Sequence, residues 1–195
     1  MTLDQLLQAV CIKGRAKPEA LEAAVIEADV GTAIEQCEQD GLIENTKLGY
    51  RITDLGRQRV DELYAKEREH ATVVIEEVYE TFLPINDEVK QIVTDWQMRE
   101  VDGQLVLNDH QDPAHDQAVI ARLGDIDAKI SAALASLCAV LPRFDCYSRR
   151  LRRALDLIDQ GDHTMVAAPI KDSYHTVWFE LHEELIILSG HERTE

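Results

Sequence analysis

Apolar residues recur at helical spacing along nearly the whole chain, which confines it to a mainly α-helical fold. Leu3, Leu6, Leu7 and Val10 stand at i, i+3, i+4 and i+7 and make one face of a first helix, stopped by Gly14. Pro18 suits the first turn of a second helix carrying Leu21, Ala24 and Val25. A turn at Ala28 and Asp29 leads to a third, with Val30, Ala33, Ile34 and Cys37 inward and Gly41 as its stop. Only then does the period change. Residues 42–43 and 50–52 read as two short strands, with the hairpin tip at residues 45–49. Thr53 is placed to cap a long helix that begins at Asp54.

Beyond that point the pattern is almost entirely helical. The exit helix runs past Leu63, Val74 and Val78 to Phe82, and Pro84 is expected to break it. Asn86 or Asp87 then caps a helix through Val89, Val93 and Trp96. Residues 100–112 form a polar loop with a small hairpin about Asp102 and Gly103. Asp112 and Pro113 are an N-cap followed by proline at the first helical position. They open a long helix carrying Val119, Leu123, Ile126, Ile130, Leu134 and Leu137. Pro142 starts another, with Tyr147, Leu151, Leu155 and Ile158 inward and Gly161 as its stop. Ser173 caps a last helix that ends at Gly190.

Three helices, a hairpin and an exit helix make a winged helix-turn-helix. The segment "DGLIEN…GYRITDLGRQRV" resembles the wing of MarR- and PadR-like bacterial regulators. The expected architecture is a winged-helix domain over residues 1–65 and an all-helical domain over residues 66–195. The boundary falls inside the shared long helix, near residues 65–80.

Charge opposes the usual use of that fold. The chain has 20 lysines and arginines against 37 aspartates and glutamates, a net charge of −17. Residues 18–46, which hold the presumed recognition helix, contain eight acidic side chains and no lysine or arginine. Base readout uses Arg, Lys, Asn or Gln with cations around them. Here there are Gln36 and Gln39 beside Glu35 and Glu38, and the wing adds only Lys47 and Arg51. Nucleic acid is therefore disfavoured, with Lys13, Arg15 and Lys17 the residues left to bind it. An anionic membrane is disfavoured for the same reason. No signal peptide opens the chain and no apolar run spans a bilayer, so the cytoplasm is the expected location. Cys11, Cys37, Cys138 and Cys146 lack CxxC spacing and read as buried thiols.

Several segments are candidates for chemistry. In "KDSYHTVWFELHEELI", residues 171–186, Tyr174, Val177, Trp178, Leu181 and Leu185 make an apolar face, with His175, Phe179 and His182 beside it and Glu180, Glu183 and Glu184 in a third stripe. That pattern suits a helix buried on several sides. His175 and His182 lie two turns, about 10 Å, apart and cannot share a metal unaided. Core histidines bonded to carboxylates are the plainer reading. In "NDEVKQIVTDWQ", residues 86–97, Asn86, Lys90, Asp95, Trp96 and Gln97 set polar groups beside a large aromatic, which suits a pocket or a helix seam. "NDHQDPAHD", residues 108–116, holds Asp109, His110, Asp112, His115 and Asp116, but no metal-ligand spacing, and Asp112 is needed as a cap. Arg149, Arg152 and Arg153 share one helix face within an arginine cluster at residues 143–153. They could hold an anion or pair with Asp145, Asp156 and Asp159. No nucleotide or hydrolase template is present, so no catalytic residue, cofactor or metal is expected.

"INDEVKQIVTDWQ" and "DSYHTVWFELHEELI", taken with "CIKGRAKPEALEAAV…CEQDGLIE", resemble a winged-helix-plus-helical module of actinobacteria. That module accompanies phosphoenolpyruvate-utilising enzymes of the pyruvate phosphate dikinase type, as a companion protein or terminal extension. The resemblance implies an accessory role without an active site. It makes Asn86, Lys90, Asp95, Trp96, Gln97, His175, Trp178, Glu180 and His182 candidates for a shared pocket. The expected function is a non-enzymatic regulatory or accessory protein, binding a small anionic metabolite or a protein partner through its helical domain. A ligand-responsive DNA-binding regulator and a subunit of such an enzyme are the alternatives. The apolar stripe of Leu63, Val73, Val74 and Val78 on the exit helix predicts a homodimer.

Overall fold

The structure, a computed structural model, describes residues 2–26, 29–101 and 103–191. The described chain is mainly helical. It runs α1 (Leu3–Lys13), α2 (Pro18–Val25), α3 (Gly31–Gln39), β1 (Ile43–Thr46), β2 (Gly49–Ile52), α4 (Asp54–Gln97), β3 (Met98–Val101), β4 (Gln104–Leu107), α5 (Pro113–Val140), α6 (Asp145–Asp159) and α7 (Tyr174–Ser189). Of the turns expected from the sequence, Ala28 and Asp102 lie outside the described residues.

Local chemistry sets the ends of these elements. Thr2 and Gln5 form a reciprocal capping box on α1. Thr53 caps α4, Asp112 caps α5 ahead of Pro113, and Ser173 caps α7. Gly190 ends α7 in the left-handed conformation.

β1 and β2 pair antiparallel, Ile43 opposite Ile52. A further bridge joins Ala16, in the α1–α2 connection, to Tyr50. Ala16 N–H donates to the Tyr50 carbonyl at 3.0 Å, and Tyr50 N–H donates to the Ala16 carbonyl at 2.8 Å. Gly49 makes this approach possible. Its φ is +111°, and a Cβ there would stand 2.5 Å from the Ala16 oxygen.

The expected break at Pro84 does not occur. α4 continues through it to Gln97, and the non-helical residue is Ala71, φ −131°, ψ 23°. Pro84 is exposed, so the carbonyl it leaves without a donor opens to water. Phe82, Ile85, Val89 and Ile92, all buried, hold the helix against α5 and α7 through the proline. Asn86 is accordingly no cap but a buried helical residue. The stripe expected to face a partner is divided. Val78 is buried within the chain, while Val73 stays 70% exposed.

One buried apolar cluster runs from Leu6, Leu7 and Val10 through Tyr64, Phe82, Leu123 and Leu151 to Trp178 and Leu185. α4 packs along α5 and α7, and α6 packs against both of these. β3 and β4 form a separate hairpin at the end of α4. Among the described residues, no helix is long and apolar enough to cross a membrane.

Candidate functional site

The densest chemistry lies where α1 and α2 meet α6 and α7. It starts from two glutamates one turn apart on α7, Glu180 and Glu184, both buried beside the apolar face of that helix. A buried carboxylate needs partners, and each finds several. Glu184 accepts from the hydroxyl of Tyr64 at 2.9 Å, from the hydroxyl of Tyr147 and from the Arg143 guanidinium. Arg143 also forks onto Glu67, both bonds at 2.7 Å, and lies over the Phe144 ring at 4.3 Å. Gln8 of α1 donates to Glu67 at 3.2 Å. Glu180 takes Lys13 of α1 at 2.6 Å and Arg150 of α6 at 2.6 Å. Arg150 in turn binds both oxygens of Asp172, its Nε at 2.9 Å.

Three cations thus face four carboxylates, and each guanidinium is already shared between two acids. The couplings show in the protonation chemistry. Burial and the charge of Glu184 push the phenols of Tyr64 and Tyr147 well above their ordinary range. Burial would raise Asp172, but the hydrogen bonds and charge of Arg150 more than offset it and hold the carboxyl below its usual value. Burial and then Glu184 push the Cys146 thiol up to about 12, so it is no nucleophile.

A cavity of about 210 Å³ opens on this network, bounded by Gln5, Gln8, Ile26, Arg143, Arg150 and Glu180. A shallower groove of about 590 Å³ adjoins it, where exposed Arg149 and Arg153 face Glu19, Glu22 and Asp172. Arg152 takes no part in it, because it binds the buried Asp127 at 2.6 Å on the α5 side. The arrangement clamps α1 to α6 and α7 through ions. The buried guanidiniums are engaged by the chain's own acids, while Arg149, 3.8 Å from Asp145, and Arg153 remain exposed.

The two polar-aromatic segments do meet. The Trp178 indole N–H donates to Asn86 Oδ1 at 3.0 Å. Trp178 and His182 both stack on Phe82, at 4.8 and 5.3 Å between ring centres. This is packed core, with Trp178 only 2% exposed. The other candidates lie apart. Lys90 is exposed beside Asp87, Asp95 pairs with Arg122, and Glu180 belongs to the clamp. His175 is half-buried, and burial alone lowers its pKa. Trp96 packs against His110 at 4.5 Å and His163 at 6.2 Å, around a cavity that Trp178 does not line.

Tyr64, Glu67 and Asp172 were not singled out from sequence, and Tyr147 only as a core residue, although the i, i+4 spacing of Glu180 and Glu184 beside an apolar face was a usable sign of buried acids. Comparison with known protein families, with curated proteins and with solved structures finds no match for this chain.

Proposed function

We propose that residues 2–52 are a winged helix-turn-helix serving a non-enzymatic regulatory or accessory protein, and that its recognition helix α3 engages a protein surface rather than DNA. The order of three helices and a hairpin supports the winged helix. So does the Ala16–Tyr50 bridge, which adds the α1–α2 connection to the hairpin as a short third strand. The observation that carries the choice of partner is the exposed face of α3. Thr32, Glu35, Gln36, Glu38 and Gln39 point outward, and none is a cation. Such a face repels phosphates and suits a basic protein partner. The ionic clamp fixes how this face is presented, because it ties α1 to α7.

Fluorescence anisotropy with a labelled duplex tests the proposal. The native chain is expected not to bind at physiological salt. Glu35→Lys/Glu38→Lys is expected to bind, with each new phosphate contact adding about 0.9 to the slope of log K on log salt. Sub-micromolar binding by the native chain would overturn the choice of partner. No gain in the charge-reversed variant would overturn α3 as a recognition helix. A DNA-binding regulator is the second reading. It draws on exposed Arg15 and Lys17, which flank the Ala16–Tyr50 bridge, and on exposed Lys47 in the β1–β2 turn.

A further inference from the structure

A second constellation, remote in sequence from the clamp, is organised by Asn108. Its side-chain amide N–H groups donate to the Trp96 carbonyl at 3.1 Å and to Asp116 Oδ1 at 2.8 Å. Its oxygen accepts the backbone N–H of His110 at 3.1 Å. The fold thereby holds three side chains in one arrangement, and it does so at a cost. Asp116 is a buried carboxylate, and His110 sits in the left-handed region at φ 56°.

The arrangement fixes the imidazole of His110. Nδ1 lies 3.0 Å from Asp116 Oδ2 and 3.3 Å from Asn108 Nδ2, whose two hydrogens have nearer acceptors in Asp116 Oδ1 at 2.8 Å and the Trp96 carbonyl at 3.1 Å. Burial raises Asp116, but hydrogen bonds from Asn108 and His110 outweigh it and keep the carboxyl below its usual value, so it only accepts. Nδ1 therefore donates to Asp116, and a ring with its one hydrogen there presents Nε2 as an acceptor. The ring stands against Trp96 beside an open-sided cavity of about 430 Å³, lined also by Pro113, Asp116, Gln117, His163 and Thr164. Walls that are mostly apolar in area, with a few polar groups and one imidazole held in a set orientation, are the makings of a small-molecule site, and the volume falls in the usual range.

We propose that this cavity binds a flat aromatic ring carrying a single N–H or O–H donor. The ring lies among Trp96, Pro113 and His163, and its donor is accepted by Nε2 of His110. Asp116 and Asn108 are positioning residues that set the tautomer and orientation of that imidazole. The site is independent of the winged-helix reading, since none of its residues belongs to residues 2–52.

Indole and benzofuran separate the donor from the shape, because they are nearly isosteric and only indole has an N–H. Both are titrated into the full chain, isotopically labelled, and followed by NMR. Indole is expected to move the Trp96 side-chain signal and the amides of Asn108 and His110 saturably. Benzofuran is expected to bind at the same place about fivefold more weakly, the loss of one hydrogen bond. The ring nitrogens of His110 give a readout that needs no variant. Nε2 should shift with indole but not with benzofuran, with the ring hydrogen on Nδ1 in the indole complex. Equal affinity for the two probes, saturable shifts confined to another part of the chain, no saturable shift, or a ring hydrogen on Nε2 in the indole complex would each overturn the proposal.

Discussion

Replacing Arg143 by methionine tests whether the clamp is a coupled unit. The side chain is 11% exposed and binds two carboxylates, Glu67 and Glu184. Methionine keeps an unbranched apolar side chain there but removes the charge and the guanidinium that lies over Phe144. Glu184, 4% exposed, would then hold its charge with only the hydroxyls of Tyr64 and Tyr147. Glu67 is the lesser problem, because at 20% exposure it can turn partly to water. Removing one partner of a buried pair costs about 3–5 kcal/mol, against a total stability of about 5–15 kcal/mol for a domain. Tyr147→Phe removes only one donor to the same carboxylate, about 1.5–3 kcal/mol, so it should rank below. Glu184→Gln removes the charge that Arg143 leaves stranded. The double variant Arg143→Met/Glu184→Gln should therefore be more stable than the sum of the single losses predicts, by about 1.5 kcal/mol or more. Urea unfolding followed by far-UV circular dichroism measures each value, with an unchanged slope as the check that the unfolded state is comparable. A cost below about 1 kcal/mol for Arg143→Met, or strict additivity of the pair, would refute the coupled clamp.

The clamp also predicts an alkaline limit. Tyr64 and Tyr147 stay neutral when folded while the unfolded chain ionises near pH 10, so stability is full below about pH 10 and is lost as the pH climbs from there toward the raised folded values. Spectrophotometric titration should show Tyr64 and Tyr147, together with the buried Tyr174, ionising only with unfolding, and normal ionisation of all five tyrosines in the native state would refute it. Asp127 has the same sign at a lower pH. Burial raises its pKa, Arg152 offsets this only in part, and its stabilising contribution is lost as the pH rises through the folded value. Asp127→Asn should therefore leave the melting temperature unchanged or raise it at neutral pH, and a loss above about 1 kcal/mol counts against this. Gly49→Ala should destabilise the hairpin by about 2 kcal/mol or more, since φ is +111° and the new Cβ would meet the Ala16 carbonyl. Unchanged urea unfolding would mean that the Ala16–Tyr50 bridge is dispensable.

What was legible in this sequence was what is decided within a few residues. Thr53, Asp112–Pro113, Ser173 and Gly190 announce their helix ends because a cap acts on backbone groups no more than a turn away. Pro84 misled for the complementary reason. Its local penalty is real, but Phe82, Ile85 and Val89 pack against helices far along the chain, and that burial outweighs it. The clamp was illegible because its pairs are so widely separated. Lys13 and Glu180 stand 167 residues apart, and Arg143 and Glu67 stand 76 apart. Arg150 shows how such a pair escapes a local reading. In sequence it belongs to a cluster with acids at short helical spacing, and Arg149 does take Asp145 that way, but Arg150 faces inward and takes Asp172 and Glu180 instead. Two polar-aromatic segments were expected to close on one pocket, and Trp178 with Asn86 does join them. Trp96, near the end of the same long helix, belongs to a different neighbourhood assembled by Asn108. A helix of 44 residues is about 66 Å long, so residues that look alike along it can serve unrelated sites.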